Sequence, residues 1–360
     1  MKKIISLVLC LCMGMGLMAG CAADEETTYA TVPSSAQPTT AAEAPTEKST
    51  ENEKPVKITL SEVAHSVFYA PQYVALELGF FEEEGLEVEL INGNGADKVM
   101  TSVISGEAQI GLAGPEACIY LYNQGKENHG VIFGQLTKRD GSFLVGREKE
   151  ENFTWENLRG KEVIGGRKGG VPEMTLEYVL SQNGVKPHED VTIDTSVQFA
   201  LMAGAFTGGQ GDYVALFEPT ASMVEQEGKG YVLTSIGKDS GEIPYTAYFC
   251  SKEYMAENPD VIQKFTNAVY KGQKWVMEHT PEEVAEYMQP YFTDSSLEIL
   301  TKVAQRYKDI DAWCTDPVMT EESLERLQIV MENAGELEKR ADYNAIVNNE
   351  FAKISIDNIK

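Results

Sequence analysis

The stretch Lys57–Ile91, KITLSEVAHSVFYAPQYVALELGFFEEEGLEVELI, decides the fold that we predict for this chain. Apolar and polar residues alternate near both of its ends, as they do in strands. Between them an apolar helical stripe begins at Pro71, which a first turn tolerates, and ends at Gly79, a common helix terminator. Strand, helix and strand at this spacing predict a parallel sheet. Such sheets bind ligands beyond the carboxyl ends of their strands, so the loop His65–Tyr69 is expected to form the first wall of a site.

A second α/β pattern starts afresh near Leu158–Gly165. Extended segments near Gly141–Arg147 and Tyr245–Ser251 enclose this second pattern. A chain that leaves one lobe and later returns to it builds two lobes joined by two hinge strands. The sequence therefore predicts an α/β protein with two lobes and a ligand cleft between them.

These crossings set the predicted domain boundaries. Lobe 1 comprises residues 56–142 and 247–360, and lobe 2 comprises residues 143–246. Residues 259–360 carry apolar side chains at helical spacing, with breaks at prolines, so the C-terminal region is predicted to be mostly helical. The folded part is too long for one simple core, which agrees with two lobes.

Residues 1–20 are predicted to be a signal peptide and not part of the fold. Lys2 and Lys3 precede an apolar run that is too short to span a bilayer. The sequence LMAGC, which ends at Cys21, resembles a lipoprotein signal-peptidase site, with Cys21 as the acylated first residue of the mature protein. It departs from that pattern at Met18, where such sites usually carry leucine. Ordinary secretion with cleavage nearby is the alternative.

Residues 21–55 are predicted to be a disordered tether. They are rich in Thr, Pro, Ser, Ala and Glu and have almost no large apolar side chains. Such a segment cannot bury enough surface to offset the entropy lost on ordering. A lipid on Cys21 followed by this tether predicts a protein anchored to the extracytoplasmic face of the cell membrane without spanning it.

The net charge argues against two kinds of binding partner, and the cysteine content argues against a disulfide framework. A formal net charge of −26 argues against nucleic acid as a partner and against docking on anionic lipid through basic residues. Cys118, Cys250 and Cys314 remain after the signal peptide and the proposed lipid site, scattered and without a C-x-x-C motif. We therefore predict free buried thiols and not a disulfide framework.

Motifs of catalysis and of metal binding are missing from the sequence. It contains no G-x-S-x-G, no H-E-x-x-H and no Walker loop. His65, His129, His188 and His279 are far apart and lack the spacing of metal ligands. The sequence thus predicts a protein that is not an enzyme and that uses no cofactor and no metal.

Three runs carry a family resemblance: Tyr69–Ala75, Leu78–Leu86 (LGFFEEEGL) and Ser105–Gly111. They resemble solute-binding proteins of the sulfonate/nitrate/thiamine-precursor group, the SsuA/THI5-like or NMT1-like family. The resemblance implies a two-lobed, type II periplasmic-binding-protein-like fold whose C-terminal helices pack on lobe 1. It also implies capture of a small molecule and its delivery to an ABC permease with its ATPase. Pyrimidine synthases of the THI5 type share this fold, but a secretion signal argues against such an enzyme.

The glycine-rich run after a predicted strand is a candidate for ligand contact. Gly169 and Gly170 let the backbone approach a ligand, and the following helix presents N–H donors. Arg167 and Lys168 add positive charge, so a sulfonate, carboxylate or phosphate group would suit this turn. The alternative is that both cations point into solvent and the glycines only make a tight turn.

Glu218 favours a ligand of the opposite charge. It ends an apolar strand just before Pro219, so its carboxylate is expected to face the cleft and accept hydrogen bonds from an amine or amidine-like group. In the family that the chain resembles, an acidic residue before proline at this strand end often lies near the ligand. The alternative is that Glu218 only stabilises the helix that follows it.

Aromatic residues near strand ends suit a flat heteroaromatic ligand. Among them His65, Tyr69 and Tyr245 are favoured, and the Gly-Pro turn between a strand and a helix at Gly114 faces the same sheet edge. The complete set of predicted ligand-binding residues is His65, Ser66, Tyr69, Gly114, Glu116, Arg167, Lys168, Gly169, Gly170, Glu218 and Tyr245.

The sequence leaves the ligand class open. Glu218 and the aromatic residues favour an aminopyrimidine such as a thiamine precursor, whereas the turn Arg167–Gly170 favours an alkanesulfonate-like anion. A sensor that uses the same fold at the cell surface is a further alternative.

Overall fold

The computed structural model describes residues 54–360. The predicted signal peptide, the lipid site Cys21 and the tether up to residue 53 lie outside this range. Within residues 54–360 there is no helix with the length and apolar character that crossing a membrane requires.

Ten strands form two five-stranded sheets in the described residues. The first sheet contains β1 (Val56–Glu62), β2 (Leu86–Asn92), β3 (Ile110–Ala113), β4 (Gly130–Thr137) and β10 (Thr246–Ser251), in the order β2-β1-β3-β10-β4. Strand β1 is parallel to both β2 and β3, as the opening stretch predicts, and β10 is antiparallel to its two neighbours.

The second sheet repeats this plan. It contains β5 (Ser142–Gly146), β6 (Glu162–Ile164), β7 (Thr192–Asp194), β8 (Tyr213–Phe217) and β9 (Tyr231–Ser235), in the order β7-β6-β8-β5-β9. Strands β6, β7 and β8 are parallel, and β5 is antiparallel to β8 and β9. Each sheet thus contains parallel strands and one strand that is antiparallel to both of its neighbours.

The two predicted crossings prove to be strands of the sheets. Strand β5 lies inside the second sheet, and β10 lies inside the first. The chain passes between the sheets in the short segments 138–141 and 241–245, which precede these strands. The backbone of these segments is also paired, since Ile243 and Tyr245 donate to the carbonyl oxygens of Lys138 and Thr137.

Helices cover both sheets and make up most of the C-terminal region. Their bounds are α1 (Ala70–Glu77), α2 (Phe80–Glu83), α3 (Ala96–Ser105), α4 (Glu116–Asn123), α5 (Val171–Gln182), α6 (Met202–Thr207), α7 (Thr220–Gln226), α8 (Ile236–Ser240), α9 (Lys252–Glu257), α10 (Pro259–Glu278), α11 (Pro281–Met288), α12 (Leu297–Asp309), α13 (Glu321–Asn333), α14 (Tyr343–Ile346) and α15 (Glu350–Asn358). The sequence of residues 198–206 predicts one helix, whereas the structure has a 3₁₀ turn at Phe199–Leu201 followed by α6.

The C-terminal helices belong largely to the first sheet. Helix α10 packs against α1 and α2, and α15 packs against α10 and β4. Trp313, Phe265 and Tyr248 are among the largest fully buried side chains of the shared core. A smaller core lies on one face of the second sheet, around Leu158 and Leu180.

Helix α12 contacts both halves of the protein. The Tyr307 hydroxyl donates to the carbonyl oxygen of Gly141 in the first crossing, at 3.0 Å, and accepts from the Glu218 amide after β8, at 3.2 Å. The Arg306 guanidinium pairs with the Glu218 carboxylate, at 2.5 Å. These contacts join the C-terminal helices to the second sheet.

Close packing of α10 on α1 depends on Gly272. A Cβ atom at this position would overlap the carbonyl oxygen of Pro71 and lie 2.9 Å from the Ala75 Cβ. We expect Gly272→Ala to lower the free energy of unfolding by about 1–3 kcal/mol, measured by urea denaturation, because the helices must move apart. Gly204→Ala in α6 is the control, since no atom lies within 4 Å of the added Cβ, and it should not destabilise the fold. Equal stability of Gly272→Ala and the parent would contradict this packing argument.

Candidate ligand-binding site

A cavity of about 550 Å³ lies where the strand ends of the two sheets meet. Loops after β1, β2 and β3 supply one side, and loops after β6 and β7, together with the end of β8, supply the other. The lining residues are Val63, Ala64, Ser66, Tyr69, Asn94, Gly95, Ala96, Asp97, Lys98, Gly114, Glu116, Gly165, Gly166, Arg167, Gly170, Val171, Pro172, Thr195, Ser196, Val197, Gln198, Phe199, Ala200, Met202, Ala215, Phe217, Tyr245 and Thr246. The cavity therefore occupies the position that open α/β sheets use for ligands.

Seven of the eleven predicted ligand-binding residues line this cavity: Ser66, Tyr69, Gly114, Glu116, Arg167, Gly170 and Tyr245. His65, Lys168, Gly169 and Glu218 do not line it. Each of these four has other partners in the structure, and these partners explain where its side chain or amide points.

His65 faces away from the cavity. Its Nδ1 lies 2.8 Å from the buried carboxylate of Glu62, and its Nε2 lies 2.9 Å from the carbonyl oxygen of Tyr291. The ring stacks on Phe292 with centroids 4.5 Å apart. The hydrogen bond that the imidazole donates to the Glu62 carboxylate raises the pKa of His65 above its usual value. His65 thus joins the loop after β1 to the C-terminal region.

Lys168 and Gly169 also point elsewhere. Lys168 is 69% exposed and lies 3.4 Å from the carboxylate of Glu336, as the solvent-facing alternative for this turn predicted. The Gly169 amide donates to the Glu173 carboxylate at 3.1 Å, and its carbonyl oxygen accepts from the Tyr120 hydroxyl at 3.0 Å. Of the positive pair in this turn, only Arg167 reaches the cavity.

Glu218 is buried in a polar network behind the cavity. Its carboxylate accepts from the Ser222 amide at 2.8 Å and the Ser222 hydroxyl at 2.9 Å, both in the helix that it precedes. It also pairs with Arg306 of α12. The expectation that Glu218 faces the cleft is therefore wrong, and its alternative role at the start of a helix describes it better.

The chain neighbours of three of these residues line the cavity instead. Ser66 follows His65, Gly170 follows Gly169 and Phe217 precedes Glu218. Successive side chains of extended backbone point to opposite sides, so an error of one residue turns a wall residue into a core residue. Ser66 and Gly170 were predicted as well, so only at the end of β8 was the wrong side chain chosen, Glu218 in place of Phe217.

Glu116 is the buried charge of the cavity. Its side chain begins α4, folds over Gly114 and is only 2% exposed, and its Oε2 has no hydrogen-bond partner among the described residues. Burial raises the pKa of this carboxyl to about 7, while the nearby charge of Arg167 and the backbone amide of Val171 act in the opposite direction. The free oxygen can accept a hydrogen bond from a ligand.

Arg167 is the positive group nearest to Glu116 in the cavity wall. Its guanidinium is half exposed and lies 3.9 Å from the carboxylate of Asp97, on the opposite side of the cavity. Lys98 also lines this side. The wall therefore carries charges of both signs, and the buried one is negative.

Aromatic rings form the apolar part of the wall. The Phe217 ring lies 5.3 Å from that of Phe199 and 6.0 Å from that of Tyr245, and Tyr69 lies nearby at the end of the first loop. The buried hydroxyl of Tyr245 has no hydrogen-bond partner in residues 54–360. Such a wall suits a flat ligand with a polar edge.

Sequence reasoning missed several lining residues on two loops. Asn94 and Asp97 follow β2, and Thr195–Ala200 follow β7. The rule that places ligands at strand carboxyl ends would have indicated both loops, since the sequence predicts the strand before the first loop and a strand at residues 191–193 before the second. Phe199 was missed because it was assigned to a helix, whereas it begins a 3₁₀ turn.

Contacts also join the two sides beyond the cavity. The Tyr120 hydroxyl on α4 bonds to Gly169, and Lys168 pairs with Glu336 after α13. Together with the pair Arg167–Asp97, these contacts lie on the side of the glycine-rich turn, whereas α12 contacts Glu218 and the first crossing.

Comparisons with known proteins agree with this architecture. The family model described as "NMT1/THI5 like" matches residues 67–284. The putative binding protein YtlA of Bacillus subtilis is 43% identical over 297 residues, which cover 82% of this chain and 89% of YtlA. The 4-amino-5-hydroxymethyl-2-methylpyrimidine phosphate synthase of Candida albicans is 21% identical over 243 residues, covering 61% of this chain and 67% of the synthase.

Solved structures show the same fold at low sequence identity. The alkanesulfonate-binding protein SsuA from Xanthomonas axonopodis pv. citri, bound to MOPS, aligns with a TM-score of 0.66 at 14% identity and covers 82% of this chain and 99% of SsuA. The predicted type II periplasmic-binding-protein-like fold is confirmed, as is the resemblance read from the sequence. The chain belongs to the NMT1/THI5-like family.

Proposed function

We propose that this protein is the solute-binding component of an ATP-driven importer, which captures a small organic molecule in the cavity and delivers it to a membrane permease. Membership of the family and the likeness to binding proteins support this role. A cavity of about 550 Å³ is suited to one small molecule. Because loops of both sheets line it, a ligand that contacts both sides would favour the closed arrangement.

The ligand that this cavity suits best is a flat nitrogen heterocycle with N–H donors, such as an aminopyrimidine. The observation that carries this choice is the unpartnered Oε2 of Glu116, which is buried in the cavity wall. A buried acceptor without a donor is costly unless the ligand supplies one. The rings of Tyr69, Phe217 and Tyr245 would hold the faces of such a heterocycle.

An alkanesulfonate-like anion fits these surroundings less well. It would gain the charge of Arg167 and the N–H groups of α5, but it would also approach the carboxyl of Glu116. Arg167 is half exposed and already near Asp97, so its attraction is weakened by solvent and by a competing carboxylate. The negative group is the more buried of the two and should dominate the choice of ligand.

The proposed location is the extracytoplasmic face of the cell membrane, with the chain held by a lipid on Cys21. The sequence at the predicted signal-peptidase site supports this anchor. Mass spectrometry of the mature N-terminus should find an acylated cysteine at position 21, and an unmodified N-terminus after cleavage nearby would refute the anchor. Distant relatives are pyrimidine synthases, but capture without catalysis agrees better with YtlA, the far more similar relative.

A thermal-shift screen tests the proposed ligand class. The purified mature protein is heated with 4-amino-5-hydroxymethyl-2-methylpyrimidine, with ethanesulfonate or with nitrate. We expect the aminopyrimidine to raise Tm, because a ligand at about 100 times its Kd stabilises the folded state by about 2.7 kcal/mol. A rise with ethanesulfonate or nitrate alone would refute the proposed ligand class while supporting a binding protein. No rise with any of the three would contradict capture of these solutes.

A further inference from the structure

A second group of ligating side chains lies outside the cavity, beneath the glycine-rich turn. Glu173 and Glu177 are one helical turn apart on α5, and His188 comes from the loop that follows this helix. One oxygen or nitrogen of each of the three residues lies within 4.8 Å of the others. None of the three lines the cavity.

The two carboxyls of this group are buried against each other. Glu173 is 1% exposed and Glu177 is 8% exposed. One carboxylate oxygen of each residue lies within 4.8 Å of one of the other, and ionised carboxylates can only accept hydrogen bonds. Two buried acceptors this close together are stabilised by a positive species near them.

The surrounding groups do not supply that cation. The Gly169 amide donates to Glu173 at 3.1 Å, and Nε2 of His188 lies 2.6 Å from Oε1 of Glu177. Lys168 is the nearby lysine, but it is mainly exposed and lies 3.4 Å from the carboxylate of Glu336, a further negative group. The charge of Lys168 is therefore already shared with Glu336 and does not neutralise Glu173 and Glu177.

We propose that Glu173, Glu177 and His188 form a binding site for one divalent transition-metal ion. An imidazole nitrogen with two carboxylate oxygens is a ligand set that suits Zn²⁺ better than Ca²⁺ or Mg²⁺, which prefer oxygen ligands alone. The His188 side chain is 53% exposed, so the ion can enter from solvent and keep a water as its fourth ligand.

The geometry requires only a small adjustment on binding. Ligand atoms about 2.1 Å from a tetrahedral ion are about 3.4 Å apart. The three ligand atoms now lie within 4.8 Å of one another, and Nε2 of His188 must move away from Oε1 of Glu177, which is 2.6 Å away. Glu and His side chains can make these adjustments by rotating about their own bonds. Because Glu173 also accepts from Gly169, the ion would fasten the glycine-rich turn to α5.

The test measures Zn²⁺ binding to the full mature protein after removal of metals with a chelator. Isothermal titration calorimetry should show one site, weakened at least about 10-fold in both His188→Asn and Glu177→Gln. Asparagine tolerates the left-handed backbone of His188, whose φ is 61°, so this variant should fold. His279→Asn is the matched control, because that ring stacks on Trp275 and bonds to its carbonyl oxygen instead.

Each outcome decides the proposal. Loss of affinity in His188→Asn and Glu177→Gln but not in His279→Asn supports the site. No Zn²⁺ binding by the parent protein means that a proton alone bridges the carboxyls, and the proposal is then wrong. Equal affinity in all three variants, or equal loss in all three, places the ion elsewhere and also overturns it.

Discussion

Replacing Glu116 with glutamine is expected to weaken binding of 4-amino-5-hydroxymethyl-2-methylpyrimidine by roughly 10- to 100-fold. Above its pKa of about 7 the carboxyl is a charged, buried acceptor, and a hydrogen bond to a charged group contributes about 1.5–3 kcal/mol, so the comparison is made at pH 8. Glutamine has a similar shape but only one acceptor oxygen and no charge. Calorimetric titration of the purified variant measures the change. The matched control is Glu107→Gln, an exposed position that is not part of the cavity wall, and it should bind like the parent.

The variant Glu116→Gln is also expected to change how the stability of the ligand-free protein depends on pH. Burial raises the pKa of Glu116 from 4.5 to about 7, so the folded protein keeps a proton that the unfolded chain has already lost. The stability contributed by this proton is present below pH 4.5 and is lost as the pH rises to 7. Glutamine does not titrate. Between pH 4.5 and pH 8 the parent should therefore lose stability that the variant keeps. The free energy of unfolding of Glu116→Gln minus that of the parent should become more positive over this range, by up to about 3 kcal/mol.

These two measurements separate the role of Glu116 from a general effect on folding. Weaker binding together with unchanged or higher stability at pH 8 is the expected pattern. A variant that binds the aminopyrimidine as tightly as the parent would show that the ligand does not use this carboxyl. A variant that unfolds more easily at pH 8 would show that the carboxyl has a structural partner instead.

Replacing Glu218 with alanine is expected to cost about 3–5 kcal/mol of stability and to leave the intrinsic affinity for the ligand nearly unchanged. The change removes the acceptor of the Ser222 amide and leaves the guanidinium of Arg306 largely buried without its principal partner. Breaking a buried ion pair on one side has a cost of this size. Urea denaturation measures it, and binding is compared at a temperature where both proteins are folded.

A neighbouring carboxylate provides the control. Glu225 also pairs with Arg306, at 3.1 Å, but it is more exposed and has Lys302 as a second partner at 2.8 Å. Glu225→Ala should therefore cost clearly less than Glu218→Ala, because solvent compensates for an exposed charge. If Glu218→Ala abolished binding while the stability changed little, the ligand-contact role expected from sequence would be restored.

The fold was predictable because its signals are local. Alternation in the opening stretch predicts two strands and the helix between them, and the structure has β1, α1 and β2 there. Pro71 and Gly79 mark the start and the end of that helix to within two residues, since the helix spans Ala70–Glu77. The restart near Leu158 similarly predicts a second α/β unit, and the structure has the second sheet there.

The sequence predicted which loops lie at the site, because loops follow from strand ends. It did not predict which side chains of these loops face the cavity. The partners that turn His65 and Glu218 away from the cavity are Tyr291 and Arg306, which are 226 and 88 residues away along the chain. Local pattern contains no information about such partners. The same limit hid the cluster around His188, because its spacing from Glu173 matches no metal motif and only the loop after α5 brings them together.

The two sets of contacts between the sheets have unequal strength, and this inequality determines how the molecule can open. Around α12, the buried pair of Arg306 with Glu218 and the bond of Tyr307 to Gly141 resist separation. Across the glycine-rich turn, the exposed pairs of Arg167 and Lys168 give way at little cost. If the protein opens to take up a solute as proposed, we expect the rotation axis to pass beside α12 and the solute to enter from the opposite edge.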